Sequence, residues 1–283
     1  MTCPNRDGSL SYTGCFYCSE GGSGDFASDS SLPIAAQLSE ARRRLSSKTD
    51  CRKFIAYFQA FTNTYAPVKY LEKIFYEAIS DPSVCVLSIG TRTDCFNDEI
   101  YDLLSRLNNI KPVWIELGLQ SIHQSTLDAM NTHTKVSDFT VVCNELNKRS
   151  IKVIAHLILG LPGETKEMML ESVDFAAKSN IFGIKLQLLH VLRNTKLAEL
   201  YEKDPFPLFS LEEYCDFIVD CIERLPPGMV IHRMTGDGPR KLLIAPMWST
   251  DKKRVLNTIN QNFIKRNTYQ GRFFISVSYT HLR

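Results

Sequence analysis

The sequence predicts an α/β fold built on a parallel sheet, and two observations carry that prediction. Short runs that are apolar almost throughout alternate with longer stretches of helical periodicity. The strand–helix unit recurs about every 30 residues, which is the spacing of βαβ repeats. Runs rich in branched and aromatic residues, with no polar alternation, fit parallel strands covered on both faces. Right-handed crossovers then leave two arrangements open: a doubly wound sheet, and a full or partial (β/α) barrel.

Taken in order, the first helical stretch is Ile34 to Ser46, which sets Ile34, Leu38, Ala41 and Leu45 on one face. Phe54 to Gln59 reads as a strand, as do Val84 to Ile89, Val113 to Leu119, Val153 to Leu159 and Phe182 to Leu189. Helices are expected between and after them at Val68 to Ile79, Asn97 to Leu107, Ser137 to Lys148, Thr165 to Lys178 and Leu211 to Leu225. Asn97 and Thr165 have the short polar side chains of N-caps, and acids follow each in the first turn. Beyond Pro226-Pro227-Gly228 the pattern changes. One more strand is expected at Met229 to His232, then a glycine-rich turn at 235–239 and a polar helix from Asp251 to Asn262. The expected organisation is a core over 1–225, an extension over 226–265 packed on it, and an irregular tail over 266–283. The end of that tail, 277–283, resembles translated adapter sequence and reads as an artefact.

Composition excludes several classes. A chain of 283 residues with 44% apolar and 23% charged residues is ordinary globular material that needs no disulfide staple. No apolar run approaches the roughly 18 residues of a membrane span, and no secretory signal opens the chain. A cytoplasmic protein without membrane partners is expected. The net charge of +2 gives no global basic field for nucleic acid. Runs such as Arg42-Arg43-Arg44 and Lys252-Lys253-Arg254 read as solvated helix faces.

The nine cysteines are unevenly placed. Cys51, Cys85, Cys95, Cys143, Cys215 and Cys221 are scattered through apolar segments and read as small buried side chains. Cys3, Cys15 and Cys18 instead lie close together, with two residues between the last pair. Soft thiolates select zinc, copper(I) or iron–sulfur. A structural zinc site closes with four ligands, so zinc here needs Cys51 or a histidine as its fourth. Three thiolates on a four-iron cluster leave one iron open, which suits catalysis. The following Gly21-Gly22-Ser23-Gly24-Asp25 allows backbone N–H groups to turn toward an anionic object. Spacing alone leaves both metals open.

At these cysteines the chain resembles the radical S-adenosylmethionine (SAM) superfamily, and the likeness continues to about residue 265. It is most similar to a bacterial branch related to the Elongator catalytic subunit and to oxygen-independent coproporphyrinogen oxidase. Phe58 to Thr64 stands where relatives carry a Gly-Gly-Glu-like motif, which is absent here. Gly90-Thr91-Arg92-Thr93-Asp94 is similar to a Thr-Arg-Pro-Asp turn with Thr93 in place of proline. Glu116 to Ser121 and His156 to Glu164 resemble the motifs of the next two strands.

The resemblance implies a partial (β/α)6 TIM-like barrel that lacks its first strand, since relatives have a strand before the first cysteine. It implies a [4Fe–4S] cluster on Cys3, Cys15 and Cys18, with SAM chelating the fourth iron. SAM contacts are implied at Tyr17, Gln59, Thr62, Asn63, Glu116, Gln120, His156 and Gly160. The implied reaction is reductive cleavage of SAM to a 5′-deoxyadenosyl radical. The implied partners are an electron donor such as flavodoxin or ferredoxin, and a substrate of the tRNA or RNA class. His190, Arg193, His232 and Arg233 are candidates for the substrate side. Two alternatives stand against this: a non-enzymatic protein with structural zinc on the N-terminal cysteines, and a barrel hydrolase using Asp94, Glu116 and His156.

Overall fold

A computed structural model describes residues 1–47, 49–236 and 238–275. In chain order the elements are α1 (Ile34–Ser46), β1 (Phe54–Phe58), α2 (Val68–Ser80), β2 (Val84–Thr91), α3 (Asp98–Asn108) and β3 (Val113–Gln120). Then come α4 (Gln124–Ala129), α5 (Val136–Lys148), β4 (Lys152–Leu159), α6 (Lys166–Lys178), β5 (Gly183–Leu188) and β6 (Val191–Leu192). The chain continues through α7 (Lys196–Lys203), α8 (Leu211–Glu223), β7 (Val230–Arg233), β8 (Leu243–Ala245), a 3₁₀ turn (Met247–Thr250) and α9 (Lys252–Arg266). These residues form two compact units, each discontinuous in sequence. The first comprises Met1–Gly118 and His133–Val153, the second Leu119–Thr132 and the chain from Ile154 on.

In the first unit β1, β2 and β3 are parallel neighbours, with Phe58 opposite Ile89 and Gly90 opposite Glu116. The helices hold them by burying one stripe each. From α2 these are Leu71, Ile74, Phe75, Ala78 and Ile79, spaced three and four apart as a helix face demands. Phe75 meets Phe58 edge to face, with ring centroids 5.0 Å apart. From α3, Ile100, Leu103, Leu104 and Leu107 go inside. Its first turn is closed as expected, since Asn97 accepts from the Ile100 N–H at 2.9 Å and Asp98 and Glu99 follow.

In the second unit β4, β5 and β7 are parallel, with His156 opposite Lys185 and Lys185 opposite Arg233. Thr165 caps α6 by accepting from Met168. A reciprocal capping box between Ser210 and Glu213 opens α8, whose buried residues include Tyr214, Phe217, Ile218 and Cys221. Past α9 the chain is tied to the end of α8: buried Glu223 accepts from Arg266 at 2.7 Å and from the Thr268 hydroxyl, and Phe273 N–H donates to the Glu223 carbonyl at 2.8 Å.

The strands and long helices fall where periodicity puts them, within a few residues. Asp251 is the N-cap of α9, which runs on to Arg266. Four elements escape sequence reading: α4, α7 and the antiparallel pair β6–β8 are too short to carry a period. The cysteine reading needs correction. Cys143, Cys215 and Cys221 are buried, but Cys51 and Cys85 are exposed and Cys95 is half-buried. Cys51 precedes β1 in a loop, and Cys85 follows the buried Val84 on a strand, so alternation turns it outward. The adapter-like segment and Asp237 of the glycine-rich turn lie outside the described residues.

Replacing Asn97 with alanine removes the cap that fixes α3 behind the Arg92–Asp94 turn. We expect a loss of about 1 kcal/mol in urea unfolding. An unchanged midpoint would mean that water satisfies this helix end.

Candidate cluster and cofactor site

Among the described residues, 1–33 form no helix or strand, and the cysteine loop is held by turns and by side chains bonding to backbone. Arg6 and Asp7 N–H donate to the Cys3 carbonyl at 2.8 and 3.2 Å, and Cys18 N–H donates to the Cys15 carbonyl at 2.9 Å. Arg6 is the central fastener. One of its guanidinium nitrogens donates to the carbonyls of Cys18 at 2.8 Å and Ser19 at 2.7 Å. Its guanidinium also lies over the Phe61 ring, 5.8 Å from the centroid. Asn5, fully buried, directs its amide nitrogen at the Cys15 sulfur, 3.4 Å away.

The loop after β1 docks on this structure. Phe61 N–H donates to the Gly22 carbonyl at 2.9 Å and Thr62 N–H to the Thr2 carbonyl at 3.2 Å. Gly22 has φ +59°, and a Cβ there would come within 2.5 Å of the Phe61 ring, so glycine serves both the turn and the close approach. Gly24 is pressed against Ala60 in the same way.

Burial is the main cause that pushes the Cys15 thiol up, opposed by the charge of Arg92 and the bond from Asn5. Burial also pushes Cys18 up to about 11, with Cys15 adding to the rise and Arg6 opposing it. Half-buried Tyr17 is raised far above an ordinary phenol, first by burial and then by neighbouring Cys15. A bound metal reverses this preference for the protonated thiol by holding the thiolate directly.

The other residues expected here fall into place differently. Gln59 lies just past β1, and no side-chain hydrogen bond forms to it among the described residues. Thr62 and Asn63 are buried. Asn63 donates its amide to the carbonyls of Phe58, Ala60 and Gly90 at 2.9–3.2 Å, so it ties the end of β1 to the end of β2. Glu116, on β3, is buried and accepts from Ser88 at 2.7 Å. Asp94 is held by Arg92 through two bonds of 2.9 and 2.7 Å. A cleft of about 670 Å³ opens beside the loop, lined by Thr2, Thr64, Tyr65, Asp94, Cys95 and Phe96 among others.

Gln120, His156 and Gly160 belong to the second unit. Gln120 ends β3 at φ +65°, an unusual conformation for a residue with a side chain, and its amide oxygen is buried with no partner in the protein. The turn beyond it is pinned. Ser121 is fully buried and donates to Glu164, while its oxygen accepts from His123 N–H at 3.0 Å. Ile122 N–H donates to Ser172 at 3.1 Å on α6. Gly160 has φ +93°, and its N–H meets the Met169 sulfur at 3.0 Å. His156 lies mid-strand on β4.

Whether these residues suit a metal group can be tested on the donors themselves. Among the described residues no three Cys, His, Asp or Glu side chains converge as a site for a metal ion. Tetrahedral zinc, with bonds of about 2.3 Å to sulfur, demands such convergence, so the zinc alternative has no support. Three soft thiols on one loop suit the larger iron–sulfur cube. The unpartnered oxygen of Gln120 suits a polar ligand.

Comparison with known proteins decides the family. The radical SAM superfamily matches residues 3–176, more than half of the chain. The chain belongs to the radical SAM superfamily. The radical SAM C-terminal domain matches residues 181–265. Uncharacterized protein YtqA of Bacillus subtilis is 42% identical over 96% of this chain and 84% of its own length. Uncharacterized protein MJ0486 of Methanocaldococcus jannaschii is 35% identical over 97% of the chain and 85% of its own. The solved structure of the archaeal Methanocaldococcus infernus Elp3, with its N-terminus deleted, superposes with a TM-score of 0.72 at 17% identity. It covers 85% of this chain, which in turn spans 61% of that one. The match shows the fold expected of a radical SAM protein, an α/β partial barrel. The expected likeness to Elongator is found in sequence: Elongator complex protein 3 of Homo sapiens is 25% identical over 64% of this chain and 32% of its own length. The cofactors expected from the sequence, a [4Fe–4S] cluster and SAM, are those of this superfamily. No helix among the described residues is long and apolar enough to cross a membrane.

Arg6 is the residue that sequence reading missed, although it lies inside the cysteine loop. Arg6→Ala leaves the Cys18 carbonyl without its donor and takes one of two from the Ser19 carbonyl, which also accepts from Gly22 N–H at 2.9 Å. The expected result is at most half the wild-type iron after reconstitution, with far-ultraviolet circular dichroism unchanged. Equal iron retention would remove Arg6 from the site.

Burial holds the Glu164 carboxyl above its ordinary value, against bonds from Ser121 and Thr126. Relative to the unfolded chain, folding therefore favours the neutral form of this carboxyl. Its stabilising effect is complete below the ordinary carboxyl value and is lost as pH rises through the raised one. Compared with Glu164→Gln, the wild type should lose urea stability across that window. Parallel pH profiles would refute the assignment.

Proposed function

We propose that the chain is a radical SAM enzyme whose cluster sits on Cys3, Cys15 and Cys18. The observation that carries the reading is the loop itself: three thiols on irregular backbone that Arg6 and Asn5 hold in place. A cluster held by Cys3, Cys15 and Cys18 would, when reduced, supply the electron for reductive cleavage of SAM and so the radical chemistry of the superfamily.

The chain's own residues bind and orient. Tyr17 places its ring beside the loop, and Gln59, with its side chain unengaged, can turn to the cofactor. Thr62 and Asn63 shape the β1 end, where Asn63 holds the backbone with its nitrogen and keeps an oxygen to accept. Glu116 offers a carboxylate already set by Ser88. Gln120 brings the buried oxygen that lacks a partner. Gly160 opens the backbone at the end of β4, and His156 lies further down that strand. The cleft beside the loop has a volume in the range that buries a small molecule.

The electron comes from a low-potential carrier of the flavodoxin or ferredoxin type. The likeness to Elp3 supports a substrate of the tRNA or RNA class. RNA binding at low salt tests that class, because phosphate contacts are strongest there.

The chemistry is tested on anaerobically reconstituted protein. About four irons per chain and dithionite-dependent release of 5′-deoxyadenosine, both lost in Cys15→Ala, are expected. Zinc in place of iron with no SAM cleavage would overturn the reading.

A further inference from the structure

The net charge of +2 conceals a segregation along the chain. Residues 226–275 hold nine lysines and arginines against two acids, Asp237 and Asp251, whereas residues 1–225 hold 23 against 29. Charge divided in this way points to an anionic partner for the basic part. Its densest stretch is α9, with five basic side chains and no acid from Lys252 to Arg266.

The sides of α9 use that charge differently. Val255 and Ile259 are its buried residues. Toward α8, Arg266 reaches Asp216, Asp220 and Glu223 at 3.2, 2.6 and 2.7 Å, and Arg254 stands 3.8 Å from Glu212. The outer side runs through Lys253, Asn257, Asn260, Gln261 and Ile264 at intervals of three and four residues, with Lys265 beside it, and all of these are exposed. Neither Lys253 nor Lys265 forms an ion pair among the described residues. Lys253, Arg254, Asn257, Thr258 and Gln261 line one shallow depression of about 390 Å³, bordered by Asp251. That acid caps the helix by accepting from Arg254 N–H at 3.0 Å.

Helix stability does not account for this face. Lys252, Lys253 and Arg254 fill the first turn, where the macrodipole favours acids and disfavours cations. Asn257 and Asn260 are poor helix formers on an exposed surface, where alanine, glutamate or lysine would serve the helix better. Lysine, arginine and side-chain amides are instead the groups that meet phosphate oxygens and sugars. A membrane surface fits less well. Leu256 and Ile264, the exposed apolar residues of α9, lie more than two turns apart with amides between them, so they make no apolar stripe.

We propose that the outer face of α9, formed by Lys253, Asn257 and Gln261 with Arg254 and Lys265, holds the phosphate backbone of an RNA. The inference rests on the reading of an RNA substrate and adds to it the surface that grips the strand. Contacts of this kind supply affinity and register without reading sequence. From Lys253 to Lys265 the helix rises about 18 Å, which follows a strand over several nucleotides.

The test measures binding of a tRNA transcript to the full chain by fluorescence anisotropy, between about 50 and 200 mM salt. One variant combines Lys253→Gln, Arg254→Gln and Lys265→Gln. A control combines Lys69→Gln, Lys73→Gln and Lys178→Gln, which removes the same charge from exposed positions on α2 and α6. In the α9 variant, affinity at low salt should fall roughly tenfold or more, and the slope of log K against log salt should shrink by about 2. The control should keep most of both. An equal loss in the control, or no loss in the α9 variant while the wild type binds, overturns the proposal and leaves the RNA reading standing. If the wild type binds no RNA at low salt, the RNA reading falls and this surface with it. Should circular dichroism show the triple variant misfolded, Lys253→Gln and Lys265→Gln, which break no ion pair, decide in its place.

Discussion

The grip of one guanidinium on two adjacent carbonyls is the constraint from which the N-terminal region takes its form. A segment with no helix or strand ladder satisfies its backbone only through scattered turns, and Arg6 supplies the Cys18 carbonyl and joins Gly22 N–H on the Ser19 carbonyl. Charge-assisted bonds of this length are the strong kind, and only a planar fork with several donors on one side chain reaches both while stacking on Phe61. The glycines then follow from proximity. With the loop held down, Gly22 and Gly24 must pass Phe61 and Ala60 at distances that leave no room for a Cβ.

The strands divide their labour by face and by position. Residues turned toward the helices are apolar and fix where each strand lies. Residues on the opposite face and past the strand ends carry the polar chemistry, as in other β/α architectures. Asn63 and Ser121 show how those ends are held. Asn63 ties the chain after β1 to the carbonyl of Gly90 on β2, and Ser121 ties the chain after β3 to Glu164 and the start of α4. In both cases a buried polar side chain does what secondary structure does elsewhere.

What was legible in the sequence follows from these roles. Periodicity revealed the six main strands and the long helices, because burial on one or both faces leaves a repeating mark. Caps such as Asn97 and Thr165 were legible because their chemistry is local. The short elements α4 and α7 were not, since their position depends on neighbours distant in sequence. Arg6 was hidden for a related reason: an arginine among polar residues looks solvated until its two carbonyl partners are placed. Lys185 was hidden within an apolar run, and the register places it beside His156 and Arg233. The cysteine triplet was plain from spacing, yet the choice of metal needed the geometry and the family match.

Burial of the cysteine loop has a consequence for the life of the protein before it matures. Cys15 and Cys18 favour the protonated thiol when no metal is bound, so they are poor nucleophiles at neutral pH. Electrophiles and peroxides act on thiolates, and these two sulfurs present few. These two cluster cysteines are therefore little exposed to alkylation before the cluster arrives. Assembly then displaces a proton from each of these thiols, and acidification weakens the hold that assembly has established.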